Sequence, residues 1–193
     1  MSQITFRSAT LDDAKRLLEI YAPYVTNSAI TFETSVPSVS EFKQRIANIL
    51  QRYPYIVAIK DNQILGYAYT SAFKNRSAYD WSVETSIYLA KDARGLGIGK
   101  KLYTLLEQIS QAQNIVSLNA CIAYPKTKDN PYLDMTSPLV HEHLGFVKCA
   151  HFHDCAYKFS QWFDMIWMEK HLSHPKEPKP FIAFPEVKAQ FFA

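Results

Sequence analysis

Five glycines occur in this 193-residue chain, and three of them, Gly95, Gly97 and Gly99, fall within five positions. At the usual frequency of roughly 7%, a chain of this length would carry about 13. A chain that spends so few glycines and groups three of them needs bare backbone at that point, for positive φ or for close approach of a ligand to the main chain. The apolar segment Val83 to Leu89 runs straight into the group, and a helical pattern from Leu102 to Gln113 runs straight out. Strand, basic glycine loop, helix is the order that aims unpaired N–H groups at a phosphate.

Three phosphate motifs compete for Arg94-Gly95-Leu96-Gly97-Ile98-Gly99-Lys100-Lys101. A Walker loop needs Ser or Thr after Gly-Lys, and Lys101 stands there. A dinucleotide fingerprint needs its third glycine one position beyond Gly99. The pattern R-x-x-G-x-G is met by Arg94, Gly97 and Gly99 without adjustment. That is the acetyl-CoA loop of the GNAT acetyltransferases, and the chain resembles that superfamily. Tyr79 to Leu89, the basic stretch Lys74-Asn75-Arg76, Arg52-Tyr53-Pro54, and Tyr157-Lys158-Phe159 with Trp162 are similar to the phosphinothricin and methionine sulfoximine acetyltransferase subgroup. The resemblance spans roughly Ile4 to Met168.

The periodicities predict a strand at Ile4 to Arg7, then a helix capped by Thr10 with Asp13 at its third position and Pro23 and Asn27 near its end. Ser38-Val39-Ser40-Glu41 is a capping box for a helix through Leu50. Tyr55 to Ile59 and Ile64 to Thr70 read as a hairpin about Asp61-Asn62. Strands follow at Trp81 to Leu89 and Val116 to Ala123, separated by a helix from Gly97 to Gln113. A short helix from Ser137 to His143 precedes Gly145, and the strands Val147 to Tyr157 and Trp162 to Met168 complete the series. The order βααβββαβαββ fits an α+β layered domain with a mostly antiparallel mixed sheet flanked by helices, which is the GNAT order. The expected organisation is a domain over residues 1–170 and a tail over 171–193. The tail holds four of the ten prolines together with Phe181, Ile182, Phe184, Phe191 and Phe192. It has no helical period and is expected to lie extended on its own domain or on a partner subunit.

The remaining numbers exclude classes. A net charge of +3 does not by itself imply nucleic acid. No stretch approaches the about 18 apolar residues of a membrane span, and nothing at the N-terminus reads as a signal peptide. Cys121, Cys149 and Cys155 form no C-x-x-C pair and read as reduced core thiols of a cytoplasmic protein. His151-x-His153 places two imidazoles on one face of a strand, as two metal ligands would be. No third ligand at a sensible spacing is evident, so no metal is expected.

Acyl transfer from a thioester to an amine sets four requirements. Backbone N–H groups from Arg94 to Lys100, in Arg94, Gly95, Leu96, Gly97, Ile98, Gly99 and Lys100, would hold the pyrophosphate of acetyl-CoA. The resemblance assigns polarisation of the carbonyl and pairing with the pantetheine arm to the backbone of Ile87, Tyr88 and Leu89. An amine near pKa 10 needs a base, and Glu84, on a strand otherwise rich in apolar and small residues, is the candidate. The resemblance gives its glutamate the same role. It also points to His141, in Val140-His141-Glu142-His143-Leu144-Gly145-Phe146, for removing a substrate proton or protonating the thiolate.

Ser137 matches the serine that the subgroup carries before this histidine, but Asp134 stands in its asparagine position, and the loop from Tyr124 to Leu133 is longer. Arg76, with Lys74, Tyr79 and Phe32 as neighbours, would receive an acidic acceptor. The expected activity is N-acetylation of a small amino acid-like amine by direct transfer in a ternary complex, without metal. The alternatives are another amine (a polyamine, an aminoglycoside or a protein N-terminus) or a CoA-binding sensor without catalysis. The resemblance implies a homodimer.

Overall fold

The computed structural model describes residues 3–93 and 95–192. Arg94 lies outside the described residues.

The chain opens with β1 (Thr5–Ser8), followed by α1 (Ala14–Asn27) and α2 (Val39–Leu50). The entry to α1 is fixed by Asp13, whose carboxylate accepts the Thr10 N–H at 2.7 Å and both guanidinium nitrogens of Arg7 at 2.7 and 2.8 Å. Ser38 and Glu41 form the expected capping box, with Ser38 N–H donating to Glu41 at 2.7 Å. The hairpin pairs β2 (Tyr55–Lys60) with β3 (Gln63–Ala72). Its two turn residues, Asp61 and Asn62, both take positive φ, the geometry of a two-residue turn that matches strand twist. β4 (Ser82–Leu89) enters the glycine loop, and α3 (Ile98–Ala112) leaves it. The remaining elements are β5 (Ser117–Tyr124), α4 (Thr136–His143), β6 (Val147–Lys158), β7 (Gln161–His171) and a short α5 (Phe184–Val187).

The strands form one sheet in the order β1-β2-β3-β4-β5-β7-β6. Every neighbouring pair is antiparallel except β4–β5. Alternation along the strands divides two cores. Tyr55, Val57, Tyr67 and Tyr88 face α1 and α2. Ile56, Ala58 and Ala68 face α3, with Leu102, Leu106 and Ile109. Among the described residues no helix is long and apolar enough to cross a membrane.

Two expectations are corrected. The cysteines are free, but all three keep solvent exposure rather than lying in the core, and Cys121, which lines the slot described below, is partly enclosed. The tail does lie on its own domain, yet it is not wholly extended. Trp81 donates to the Lys179 carbonyl at 2.6 Å, Asn114 to that of Pro180 at 2.7 Å, and the Phe184 N–H to that of Arg52 at 2.9 Å. These bonds seat α5, with Pro185 in its first turn where a missing N–H costs nothing. Phe184, only 1% exposed, and Val187 complete the core beneath α3.

A buried phenylalanine at that position sets a stability test. Phe184→Ala is expected to cost about 3–5 kcal/mol, read as a lower urea midpoint. A loss below about 1 kcal/mol, the size of a typical surface change, would mean that the tail is only loosely laid on the sheet.

Candidate active site

β4 and β5 run parallel for three residue pairs, Ser82↔Ser117, Val83↔Leu118 and Glu84↔Asn119. Beyond them both strands continue, β4 to Leu89 and β5 to Tyr124, without pairing to each other. β4 stays paired to β3 as far as Leu89, and β5 to β7 as far as Tyr124, so the sheet parts into a V. The V is a narrow slot of about 60 Å³ lined by Thr85, Ile87, Tyr103, Cys121, Ser137 and His141.

The backbone of β4 on the slot side is exposed to whatever enters. Leu89 donates its N–H to the Tyr24 hydroxyl at 3.2 Å and accepts the Tyr24 O–H at its carbonyl at 2.6 Å. Ile87, two residues back, directs its N–H and C=O to the same side. It lies past the last β4–β5 pair. Tyr88 turns its backbone toward β3, where it faces Tyr67, and its ring toward α1. Of the three β4 residues proposed from the sequence, Ile87 therefore presents its backbone to the slot, Leu89 is engaged with Tyr24, and Tyr88 serves the sheet and core.

At the far end of β4 the glycine loop has the geometry its composition implied. Gly95 and Gly97 take φ of +77° and +73°, and a Cβ at either would meet nothing within 4 Å. Gly97 is the N-cap of α3, and its side-chain-free cap leaves the first N–H groups of the helix, those of Ile98, Gly99 and Lys100, pointing outward. Leu96 and Lys100 are exposed. A cradle of helix-start amides beside open space fits a phosphate. A second cleft of about 580 Å³ lies past Leu89, between Ala90 to Asp92 and the segment Asn130 to Asp134, and shares Ile30 and Leu133 with the slot. The longer loop is tied down there. Tyr132 stacks on Phe159 with centroids 4.1 Å apart, and its carbonyl accepts the Ala29 N–H at 2.9 Å. Asp134, where asparagine was expected, accepts the Thr136 N–H at 2.8 Å and so serves the start of α4.

His141 is 5% exposed. Its Nδ1 lies 2.8 Å from the Ser137 carbonyl, an acceptor only, so Nδ1 carries the proton. Its Nε2 then accepts the Tyr103 O–H at 2.6 Å. Tyr103, on α3, also lies 3.2 Å from Thr85 Oγ1, which reaches the Asn119 carbonyl at 3.2 Å. This chain of four polar residues crosses the apex of the V. Burial pushes the His141 pKa below its ordinary value, partly opposed by the Ser137 carbonyl, and pushes the Tyr103 pKa well up. Both side chains are therefore neutral near pH 7.

Glu84 adjoins Thr85 and points to the opposite face of β4, so the structure puts Glu84 and His141 on the two sides of the sheet. Burial raises the Glu84 pKa, and the Lys74 charge partly lowers it again. Cys121 feels the same surroundings. Its thiol is pushed up to about 12 by burial first, then by Glu84 and Cys155. A cleft of about 790 Å³ is lined by Phe73, Lys74, Tyr79, Asn119, Trp167 and Glu169; Asn119 is the register partner of Glu84 and Lys74 the charge that acts on it.

Lys74 lies over the rings of Phe73 and Trp167, 4.9 and 5.6 Å from their centroids. The four acceptor-site residues expected from the sequence are not brought together. Lys74 and Tyr79 line this cleft, while Arg76 is exposed outside it. Phe32 packs on Phe163 beside Ala123 and Leu133. Its loop is held by Lys158, 5% exposed, whose ammonium donates to the Ser28 and Thr31 carbonyls at 2.8 Å each. Tyr103 and Trp167 were missed, since an aromatic at helical or strand spacing reads as core.

The chain matches the Acetyltransferase (GNAT) domain family over residues 6–167. It is 30% identical to a phosphinothricin N-acetyltransferase of Streptomyces viridochromogenes, over 92% of each chain. It is 29% identical to an L-methionine sulfoximine/L-methionine sulfone acetyltransferase of Pseudomonas paraeruginosa, over 87% of this chain and 94% of that one. A crystal structure of a phosphinothricin acetyltransferase from Sinorhizobium meliloti in complex with acetyl-CoA superposes with a TM-score of 0.81 at 34% identity, covering 95% and 97% of the two chains. The parted β4–β5 pair, the glycine cradle and these likenesses agree, and the chain belongs to the GNAT family of acetyltransferases.

Proposed function

We propose that this acetyltransferase moves the acetyl group of acetyl-CoA onto the amino group of a small amino acid-like acceptor, of the phosphinothricin or methionine sulfoximine kind, by direct transfer in a ternary complex. The position of Glu84 carries the reading: it belongs to the last β4–β5 pair, next in the chain to Thr85 of the slot and within reach of the charge of Lys74 of the cleft. The amides of Gly97 to Lys100 hold the pyrophosphate, and the Ile87 backbone orients the thioester arm within the V. Arg94 is assigned to the same phosphate contact by the motif.

The acceptor carboxylate lies against Lys74 in the cleft, with its apolar stem on Phe73 and Trp167. Glu84, ionised, takes a proton from the acceptor ammonium. The freed amine attacks the thioester carbon, the Ile87 N–H stabilises the oxyanion of the tetrahedral adduct, and as the adduct collapses the C–S bond breaks and its nitrogen gives up its second proton to solvent. Tyr103 keeps its O–H donated to His141 Nε2 and walls the slot where the thiolate leaves. Its raised pKa keeps that proton on oxygen, and the thiolate is protonated by solvent on release. His141 is thus a positioning residue.

Among the described residues Glu169 is the one carboxylate lining the cleft, and Lys74 lines it too, which disfavours a polycationic acceptor. The presence of Glu84 in the same chain as the cradle favours an enzyme over a sensor. A homodimer is supported by the exposed Val147, Phe152 and Tyr157 of β6 and Trp162 of β7, an apolar sheet edge suited to a second copy.

Glu84→Gln is expected to lower turnover with such acceptors by on the order of 10²-fold or more. In the parent enzyme the rate rises with pH through an ionisation above the ordinary glutamate range, because only the carboxylate accepts the proton. Lys74→Ala removes a charge that favours that carboxylate, so the limb moves to higher pH and the acceptor KM rises while that of acetyl-CoA is unchanged. Near-normal rates for Glu84→Gln across pH would remove Glu84 from the role.

His141 sets a pH dependence of folding. Its folded pKa lies below the unfolded value, so its contribution to stability is full above about pH 6.5 and falls as pH drops toward the folded pKa. Asp13 and Asp164, both held low in the fold, act at more acid pH. Glu84, held high in the fold, acts in the opposite sense over the same range, so the His141 contribution is read as a difference: relative to His141→Gln, the urea midpoint of the parent chain should fall between about pH 7.5 and about pH 5.5. Equal slopes in the two chains would show that His141 is not held neutral.

A further inference from the structure

The paired histidines noted in the sequence lacked a third partner, and the fold supplies one. Asp164, ten residues beyond Asp154, lies across the β6–β7 hairpin. Its Oδ2 is 2.9 Å from His151 Nε2 and 3.1 Å from His153 Nδ1. One ligand atom of each of the three residues lies within 4.8 Å of the other two. We propose that His151, His153 and Asp164 form a binding site for a divalent transition cation of the zinc type, separate from the acetyl-transfer site.

The donor set is two imidazole nitrogens and one carboxylate oxygen, which suits borderline cations such as zinc or cobalt. Bonds of about 2.0–2.1 Å in a tetrahedron place neighbouring ligand atoms roughly 3.3 Å apart, so the spacings at Asp164 Oδ2 need to open only slightly. The carboxylate is backed as metal ligands usually are. Asp164 is 5% exposed, and its Oδ1 accepts the Asp154 N–H at 3.0 Å, which leaves Oδ2 facing the two rings. The His151 ring is set edge-on to Tyr124, with centroids 5.1 Å apart.

His153 is open to solvent, giving an entry route and a fourth position for water. Asp154, in the left-handed region at φ 48°, sits where the β6–β7 register shifts between Phe152 and Ala156, and this bulge turns His153 toward Asp164. The nearby Lys126 ammonium is paired with the Asp154 carboxylate. None of the three proposed ligands lines the slot or either cleft. A bound ion would staple β6 to β7 beside the end of β5, where Asp164 pairs with Tyr124 and the longer loop begins.

The test is titration of the chelator-stripped chain with Co²⁺, followed by its visible absorption, and with Zn²⁺, followed by calorimetry and thermal unfolding. The expected result is one ion per chain, with a Tm rise of about 5–10 °C when free metal reaches a hundredfold excess over Kd. His153→Ala alters a solvent-facing side chain and should leave the fold intact while weakening binding at least about tenfold. His171 and His174, whose rings stack 4.7 Å apart, are a rival pair, and their double alanine variant should bind as the parent does. No stoichiometric binding in the parent, or unchanged binding in His153→Ala, would overturn the proposal.

Discussion

The parallel contact between β4 and β5 lasts only from Ser82 to Glu84, and the site depends on its ending there. Two strands that stayed paired would bury the Ile87 backbone in a ladder and leave no slot. What occupies the apex is polar: Thr85, Tyr103, His141 and the Ser137 carbonyl, each bonded to the next. Buried polar groups are costly unless they are satisfied, and satisfied ones fix geometry. The chain of bonds ties α3, α4 and β4 to one another at the point where the strands diverge. The same divergence carries β4 into the glycine loop, so the amide cradle and the slot are two ends of one feature.

The two faces of β4 separate the chemistry. Thr85 leads to neutral groups that are hydrogen-bonded to one another. Glu84 leads to a charged neighbour, Lys74, and to the aromatic rings of Phe73 and Trp167. Burial acts on both sides, but in different senses. It raises the Glu84 pKa toward that of a useful base and lowers that of His141 so that the ring stays uncharged.

Much of the fold was legible because local chemistry dictated it. The Ser38 capping box, the Asp61-Asn62 turn and the Gly97 cap each have a side-chain or φ requirement that sequence displays. The turn between β6 and β7 had no such signal. Phe159 and Ser160 both take positive φ there, held by the Tyr132 stack and by Lys158 bonded to a distant loop. The site was legible only as far as motif and strand carried it. Glu84, His141 and the glycines could be named. The partners that arrive from elsewhere could not: Tyr103 for His141, Trp167 for Lys74, Asp164 for the two histidines. The cysteines were misplaced for the same reason, since nothing local says which face of a strand will be covered.

The central claim is that the thioester arm lies in the V and the pyrophosphate on the start of α3. Amide hydrogen exchange with and without CoA measures this directly. Slowed exchange at Ile87 and at Gly97 to Lys100, with Tyr88 unchanged because it already pairs with β3, is the predicted result. Tight CoA binding that left those amides exchanging as before would contradict the account.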